Sequence, residues 1–183
     1  MTKYTSFKDI PRFISHGNYA VDMGISHLQN WINEMTEDWG LKLDPDFQRG
    51  QVWTEEQQTK YVEFLLRGGK TGLDVYFNSP SWHIQVPDGA YNEFVCVDGL
   101  QRITAILRFL NNEIKVFGSY YIEYTDRPNF IRHSIRIHIN DLKTRKEVLQ
   151  WYLEMNSGGT PHSEAELCRV KKMYDECAEE KSV

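Results

Sequence analysis

Between Tyr91 and Leu110 the hydrophobic rhythm of this chain changes within two residues. Tyr91 to Val97 is an apolar, β-branched run, whereas Ile103, Ile106, Leu107 and Leu110 recur at helical spacing. Period 2 is the mark of a strand and period 3.6 of a helix with one apolar stripe. A strand must therefore turn directly into a helix at Asp98-Gly99. That junction excludes an all-α or an all-β chain, and the neighbouring segments extend the mixture. Ile25, Leu28, Ile32 and Met35 predict a helix from about Gly24 to Trp39, stopped by Gly40. Thr54 with Gln57 predicts a capping box opening a helix that buries Tyr61, Val62, Leu65 and Leu66. Thr144 with Glu147, and Ser163 with Glu166, predict two more helices. Strands are expected at 41–43, 74–78, 82–86, 113–117, 120–124 and 134–139. The class is α+β or mixed α/β, without repeats.

Length and composition suit one domain over residues 1–183, frayed at about 1–20 and 178–183. The 40% hydrophobic and 13% aromatic content is enough for a packed core. No apolar run reaches the ~20 residues of a membrane helix, so no membrane partner is expected, and the polar start carries no secretory h-region. Cys96, Cys168 and Cys177 form no CxxC, which suits a reducing cytoplasm better than a disulfide framework. The net charge is −5, yet residues 100–145 carry eight Lys/Arg against four acids, or +4, leaving −9 elsewhere. A local basic surface for phosphates is one reading of this, and ordinary surface charge the other.

Three segments carry chemistry. At Asp98-Gly99-Leu100-Gln101-Arg102 a helix N-terminus offers unpaired N–H groups and a partial positive charge. Gly99 permits close backbone approach to a ligand, Arg102 adds a donor fork suited to phosphate oxygens, and Gln101 offers a donor and an acceptor. Asp98 can cap the helix or hold a metal or water; in the plainer reading it is only a cap and Arg102 only a surface ion pair. The loop Asp46-Phe47-Gln48-Arg49-Gly50 displays Gln48 and Arg49 between Phe47 and Trp53, which are expected to anchor it in the core. The plainer reading makes Arg49 a partner for a carboxylate. Asn156-Ser157-Gly158-Gly159-Thr160 can form a nest of backbone amides for an anion, or simply a helix C-cap and turn. Gly68-Gly69-Lys70-Thr71 is not a P-loop: Phe64 stands where that motif needs glycine, and a helix precedes it. The six histidines show no metal-ligand spacing, and His83 and His138 are expected in strands as structural residues.

These segments, "PDFQRGQVW" at 45–53, "VDGLQRITAILRFL" at 97–110 and "NSGGTPHSEAEL" at 156–167, resemble in order the N-terminal domain of the GmrSD type IV restriction family. The resemblance implies a ParB/sulfiredoxin-like mixed sheet with flanking helices. It further implies binding and hydrolysis of a nucleoside triphosphate (NTP) with Mg²⁺ or Mn²⁺, and, in larger members, control of a fused HNH nuclease. By position it assigns Asp98, Gln101, Arg102, Gln48 and Arg49 to catalysis, with Asp98 also at the metal. Gly99, Thr104, Asn156, Gly158 and Gly159 are assigned to the nucleotide and its phosphates. Leu100 replaces the first glutamine of the family's D-G-Q-Q-R element, and Pro161-His162 stands where an apolar residue is usual. The chain ends after the last predicted helix, so no HNH module is expected in it. Expected partners are the NTP, DNA, and a partner nuclease or defence protein; the oligomeric state is left open. The alternatives are a ParB-like DNA nickase or endonuclease and a non-catalytic nucleotide-sensing or protein-binding regulator.

Overall fold

The structure, a computed structural model, describes residues 3–10, 12, 19–48, 50, 52–129, 132–156 and 164–179. Its strands are β1 (Tyr19–Gly24), β2 (Asp74–Asn78), β3 (Val95–Asp98) and β4 (Ser134–Asn140). Its α-helices are α1 (Ile25–Trp39), α2 (Glu55–Leu66), α3 (Leu100–Leu110), α4 (Arg145–Asn156) and α5 (Glu164–Glu179). The fold is α+β. The strands form one mixed sheet in the order β1-β4-β2-β3, with β4 and β2 parallel and the outer pairings antiparallel.

Strand alternation sorts side chains between two layers. Ile135, Ile137 and Ile139 of β4, Val75 and Phe77 of β2, and Cys96 of β3 pack with Ile25, Leu28 and Ile32 of α1 and Ile103 and Ile106 of α3. On the opposite face Val95 and Val97 pack with Val148, Leu149 and Tyr152 of α4 and Val170 of α5. Both faces of β3 are therefore covered, which explains why its sequence is continuously apolar instead of alternating. A third cluster joins α2 to α3 through Val62, Ala105 and Phe109.

Helix boundaries follow their capping chemistry. Gly40, at φ 67°, ends α1 in the left-handed conformation, and the Leu41 amide donates to the Met35 carbonyl at 2.9 Å. The Thr54 hydroxyl accepts from the Gln57 amide (3.3 Å), and the Gln57 side chain accepts from the Thr54 amide (2.9 Å). Thr144 and Glu147 repeat this exchange before α4. Ser163, proposed to cap the last helix, lies outside the described residues. Thr54→Ala removes one half of the α2 box and is expected to cost about 1 kcal/mol. A thermal melt should show this as a midpoint roughly 2–4 °C lower.

Four expected strands did not form as such. Lys42 makes a single bridge to Val95, through its amide to Phe94 and its carbonyl to Cys96, before Pro45 interrupts the ladder. Residues 82–86 form no strand, and the two sides of β2 are taken by β4 and β3. The apolar signal there belongs mainly to Trp82, whose ring packs against Tyr19, Trp39 and Phe94, while His83 is exposed in the loop. Residues 113–124 hold only a Val116–Ser119 bridge and a short 3₁₀ turn at Tyr121–Glu123. Their alternation serves to cover the end of α3: Ile114 and Val116 join the third cluster, and Tyr121 and Tyr124 meet Phe109 edge-on. His138 does lie in a strand, with Nε2 2.7 Å from the Asp74 carboxylate and its ring stacked on Tyr76. All three cysteines are free. Among the described residues no helix is long and apolar enough to cross a membrane.

Candidate functional site

The turn from β3 into α3 forms the floor of a cleft of about 430 Å³. Gly99 makes that turn at φ 110°, a left-handed conformation that L side chains rarely adopt. A Cβ at this position would fall 2.5 Å from Val75 Cγ1 and 3.2 Å from the Val75 Cα. The close approach that requires glycine is therefore to the neighbouring strand. The N-cap of α3 is Gly99 and not Asp98, so no side chain at that position caps the helix, and the Leu100 amide faces the Cys96 sulfur. Asp98 instead pairs with Arg102 one turn along, and both line the cleft. The ion pair and the open cavity thus coexist.

The loop before α2 forms a second wall. Phe47 is 1% exposed and meets Tyr152 edge-on at 5.2 Å, which pins the loop as its sequence suggested. Gln48 donates from Nε2 to the Cys96 and Val97 carbonyls at 3.1 and 2.9 Å. Both amide hydrogens are thereby held by β3, and Oε1 is the atom the strand does not engage. Gln101 is engaged at both ends. Its Oε1 accepts from the Val52 and Trp53 amides, each at 3.0 Å, and its Nε2 donates to the Gly50 carbonyl at 2.5 Å. The third contribution comes from the end of α4, where Asn156 lines the cleft and its Nδ2 donates to the Tyr152 carbonyl at 2.7 Å.

The cleft therefore brings together Gln48, Asp98, Gly99, Gln101, Arg102 and Asn156. Thr104 does not join them: it is 8% exposed, one turn further along α3, and off the cleft lining. Arg49, Gly158 and Gly159 lie outside the described residues.

Sequence reasoning missed the aromatic wall. Trp53, Tyr61, Phe64 and Tyr152 line the cleft, with Thr71 and Gly72 beside them. Trp53 was expected to be a core anchor and Tyr61 part of a buried stripe, but each is half-buried. Their rings meet edge-on at 5.4 Å. Burial pushes the Tyr61 phenol up to about 12, against an opposing pull from Arg102, so at neutral pH it stays a donor to the Gly72 carbonyl (3.0 Å). Phe64 had registered only as the residue that breaks the P-loop pattern. A large apolar residue placed off the Tyr61, Val62, Leu65 and Leu66 stripe is the sequence signal of a surface role, and the structure leaves Phe64 41% exposed.

Among the described residues, five of the eight cations of residues 100–145 are paired with carboxylates. Arg102 pairs with Asp98, Arg108 with Glu55 and Glu113, Arg136 with Asp22, Lys143 with Asp141, and Arg145 with Asp46 and Glu93. Most of these acids lie elsewhere in the sequence, so folding cancels charge that a linear count leaves unbalanced. Among the described residues no group of three or more His, Cys, Asp or Glu could hold a metal. Asp98 is the one carboxylate among the described residues lining the cleft.

Comparison with curated proteins and comparison with solved structures each gave no match. A family model, the N-terminal domain of the GmrSD restriction endonuclease, matches residues 28–134 of the 183. The matched span holds the Gln48 loop and the Asp98–Arg102 junction and stops before the Asn156 segment. With more than half of its length matched and both motifs at one cleft, the chain belongs to the GmrSD N-terminal domain family, which links it to restriction and defence systems.

Proposed function

We propose that the cleft binds the phosphates of a nucleoside triphosphate together with a divalent cation and hydrolyses the terminal phosphate. The observation that carries this reading is the N-terminus of α3 with the Arg102 guanidinium at one cleft, faced by an aromatic wall. Amides at a helix N-terminus and a guanidinium suit phosphate oxygens. Trp53, Tyr61 and Phe64 offer ring faces or edges of the size of a base.

Phosphoryl transfer needs charge neutralisation and positioning more than covalent help from the protein. Arg102 would leave Asp98 for the phosphates. Asp98 would then be free to meet Mg²⁺ or Mn²⁺ arriving with the triphosphate. A single carboxylate suits such a phosphate-borne cation, which commonly keeps one or two protein carboxylates and several waters. The cation supplies neutralisation of phosphate charge. Gln48 Oε1 would accept a hydrogen bond from the attacking water. The water oxygen bonds to the terminal phosphorus, the bridging oxygen leaves with the electron pair on the diphosphate, and the water's proton passes to solvent. Gln101, with both ends of its amide committed, holds the loop. Asn156 would close the cleft from the α4 side. With five of the eight cations of residues 100–145 paired with carboxylates, the cleft and not a basic face carries the reading.

Purified protein mixed with a panel of nucleoside triphosphates and Mg²⁺ tests this. A ligand that binds only the native state raises the melting midpoint, by an amount corresponding to about 2.7 kcal/mol at a hundred times its Kd. The expected result is a raised midpoint with release of inorganic phosphate. An unchanged midpoint and no phosphate release with every nucleotide would reject the proposal.

A further inference from the structure

We propose that Arg169 of α5 is a positioning residue for the candidate site, holding the Asp46–Gln48 loop from behind while the Gln48 side chain holds it to β3. This rests on the cleft being the ligand site, although part of its test does not. Arg169 Nη1 donates to the Asp46 carbonyl at 2.6 Å, and Nη2 donates to the Phe47 and Gln48 carbonyls at 3.1 and 2.9 Å. Three successive carbonyls of one turn thus converge on one guanidinium. Only a planar fork with several fixed donors can serve all three at once; a lysine ammonium is a compact point charge on a flexible stem.

The placement matters for what the loop carries. Gln48 is tied on its other side to Cys96 and Val97, the strand that leads into Gly99 and α3. Arg145 of α4 fixes the same turn through the Asp46 carboxylate, at 2.7 and 2.8 Å. The turn is therefore gripped by two arginines from the helical pair on the far face of the sheet. Neither arginine lies in residues 28–134, so this grip sits outside the matched family region. Helix α5 packs mainly on α4, with Val170 buried between them and the sheet and Lys146 over the Tyr174 ring at 4.7 Å. The Arg169 fork couples this outer helix to the Gln48 turn by hydrogen bonds, beside the apolar cluster that Val170 shares with Phe47. A shift of α5 would be transmitted as a movement of Gln48.

Arg169 is itself exposed, so substituting it leaves the core intact. The experiment compares the full chain with R169A, R169K and a control, K172A, which alters an exposed ion pair within α5. Hydrogen exchange in peptides covering residues 44–53 is the first readout and needs no ligand. Affinity for a Mg²⁺–nucleoside triphosphate, measured well below the melting midpoint, is the second. R169A is expected to exchange about tenfold faster over 44–53, with residues 134–140 unchanged, and to bind the triphosphate about tenfold more weakly. R169K should fall between wild type and R169A, and K172A should match wild type. Unchanged exchange over 44–53 in R169A would overturn the proposal. So would faster exchange with unaltered affinity, because the residue would then stabilise the turn without positioning the site. Faster exchange in a protein whose wild type binds no triphosphate would support the grip on the loop and reject the nucleotide reading separately.

Discussion

Replacing Arg102 by alanine is expected to weaken triphosphate binding by roughly 10–100-fold. Hydrogen bonds to a charged group contribute about 1.5–3 kcal/mol, and each 1.4 kcal/mol is about a factor of ten in affinity. The fold should survive the change. Arg102 sits in the first turn of α3 with its side chain 20% exposed, and the Asp98 carboxylate left behind stays partly solvated beside the N-terminal end of the helix, which favours a negative charge. Circular dichroism and thermal melting should therefore be close to wild type while calorimetric affinity collapses. Arg102→Lys should recover only part of the loss, because an ammonium cannot span two phosphate oxygens as a fork does. If Arg102→Ala bound and turned over the triphosphate like wild type, Arg102 would have no place in the site.

Gly99→Ala is expected to give the largest loss of stability. The left-handed backbone costs a residue bearing Cβ about 1–2 kcal/mol, and forcing a methyl into a packed site about 1–3 kcal/mol more. The methyl would meet Val75 Cγ1 at 2.5 Å, Cβ at 2.8 Å and Cα at 3.2 Å, so no rotamer change of that short, branched side chain makes room. Strand β2 itself would have to move. Denaturant unfolding should show a loss of about 2–5 kcal/mol, or a midpoint lower by ~10 °C. A wild-type unfolding curve for Gly99→Ala would mean that the junction is not built as described.

These two residues also show what the sequence could reveal. The change of period at Asp98-Gly99 placed the junction, and the mixture of strand and helix periods along the chain placed the fold class, because both are local properties of the sequence. Strand number was misjudged for a different reason. Alternation at 82–86 and 113–124 records which side chains face the core, and a loop such as that around Trp82 can satisfy the same pattern without ladder partners. Gln48, Asp98, Gly99, Gln101, Arg102 and Asn156 do meet at one cleft. Their individual bonding was not legible. That Gln101 spends its amide on Gly50, Val52 and Trp53 depends on contacts about fifty residues apart in sequence. The pairing of Arg145 with Asp46, which cancelled part of the apparent basic patch, spans 99 residues. The aromatic wall was hidden because Tyr61 carries the same helical spacing as the core residues Val62 and Leu65, while Phe64 lies off that stripe and reads as an ordinary surface position.

Hydrogen exchange of the intact chain with and without a Mg²⁺–nucleoside triphosphate is the most direct examination of the cleft. Ligand phosphates seated on the open end of α3 should slow exchange at the backbone amides of Leu100, Gln101 and Arg102, together with the Gln48 turn. Slowing confined to other surfaces, or none at millimolar nucleotide, would contradict a polyanion site at this strand–helix junction.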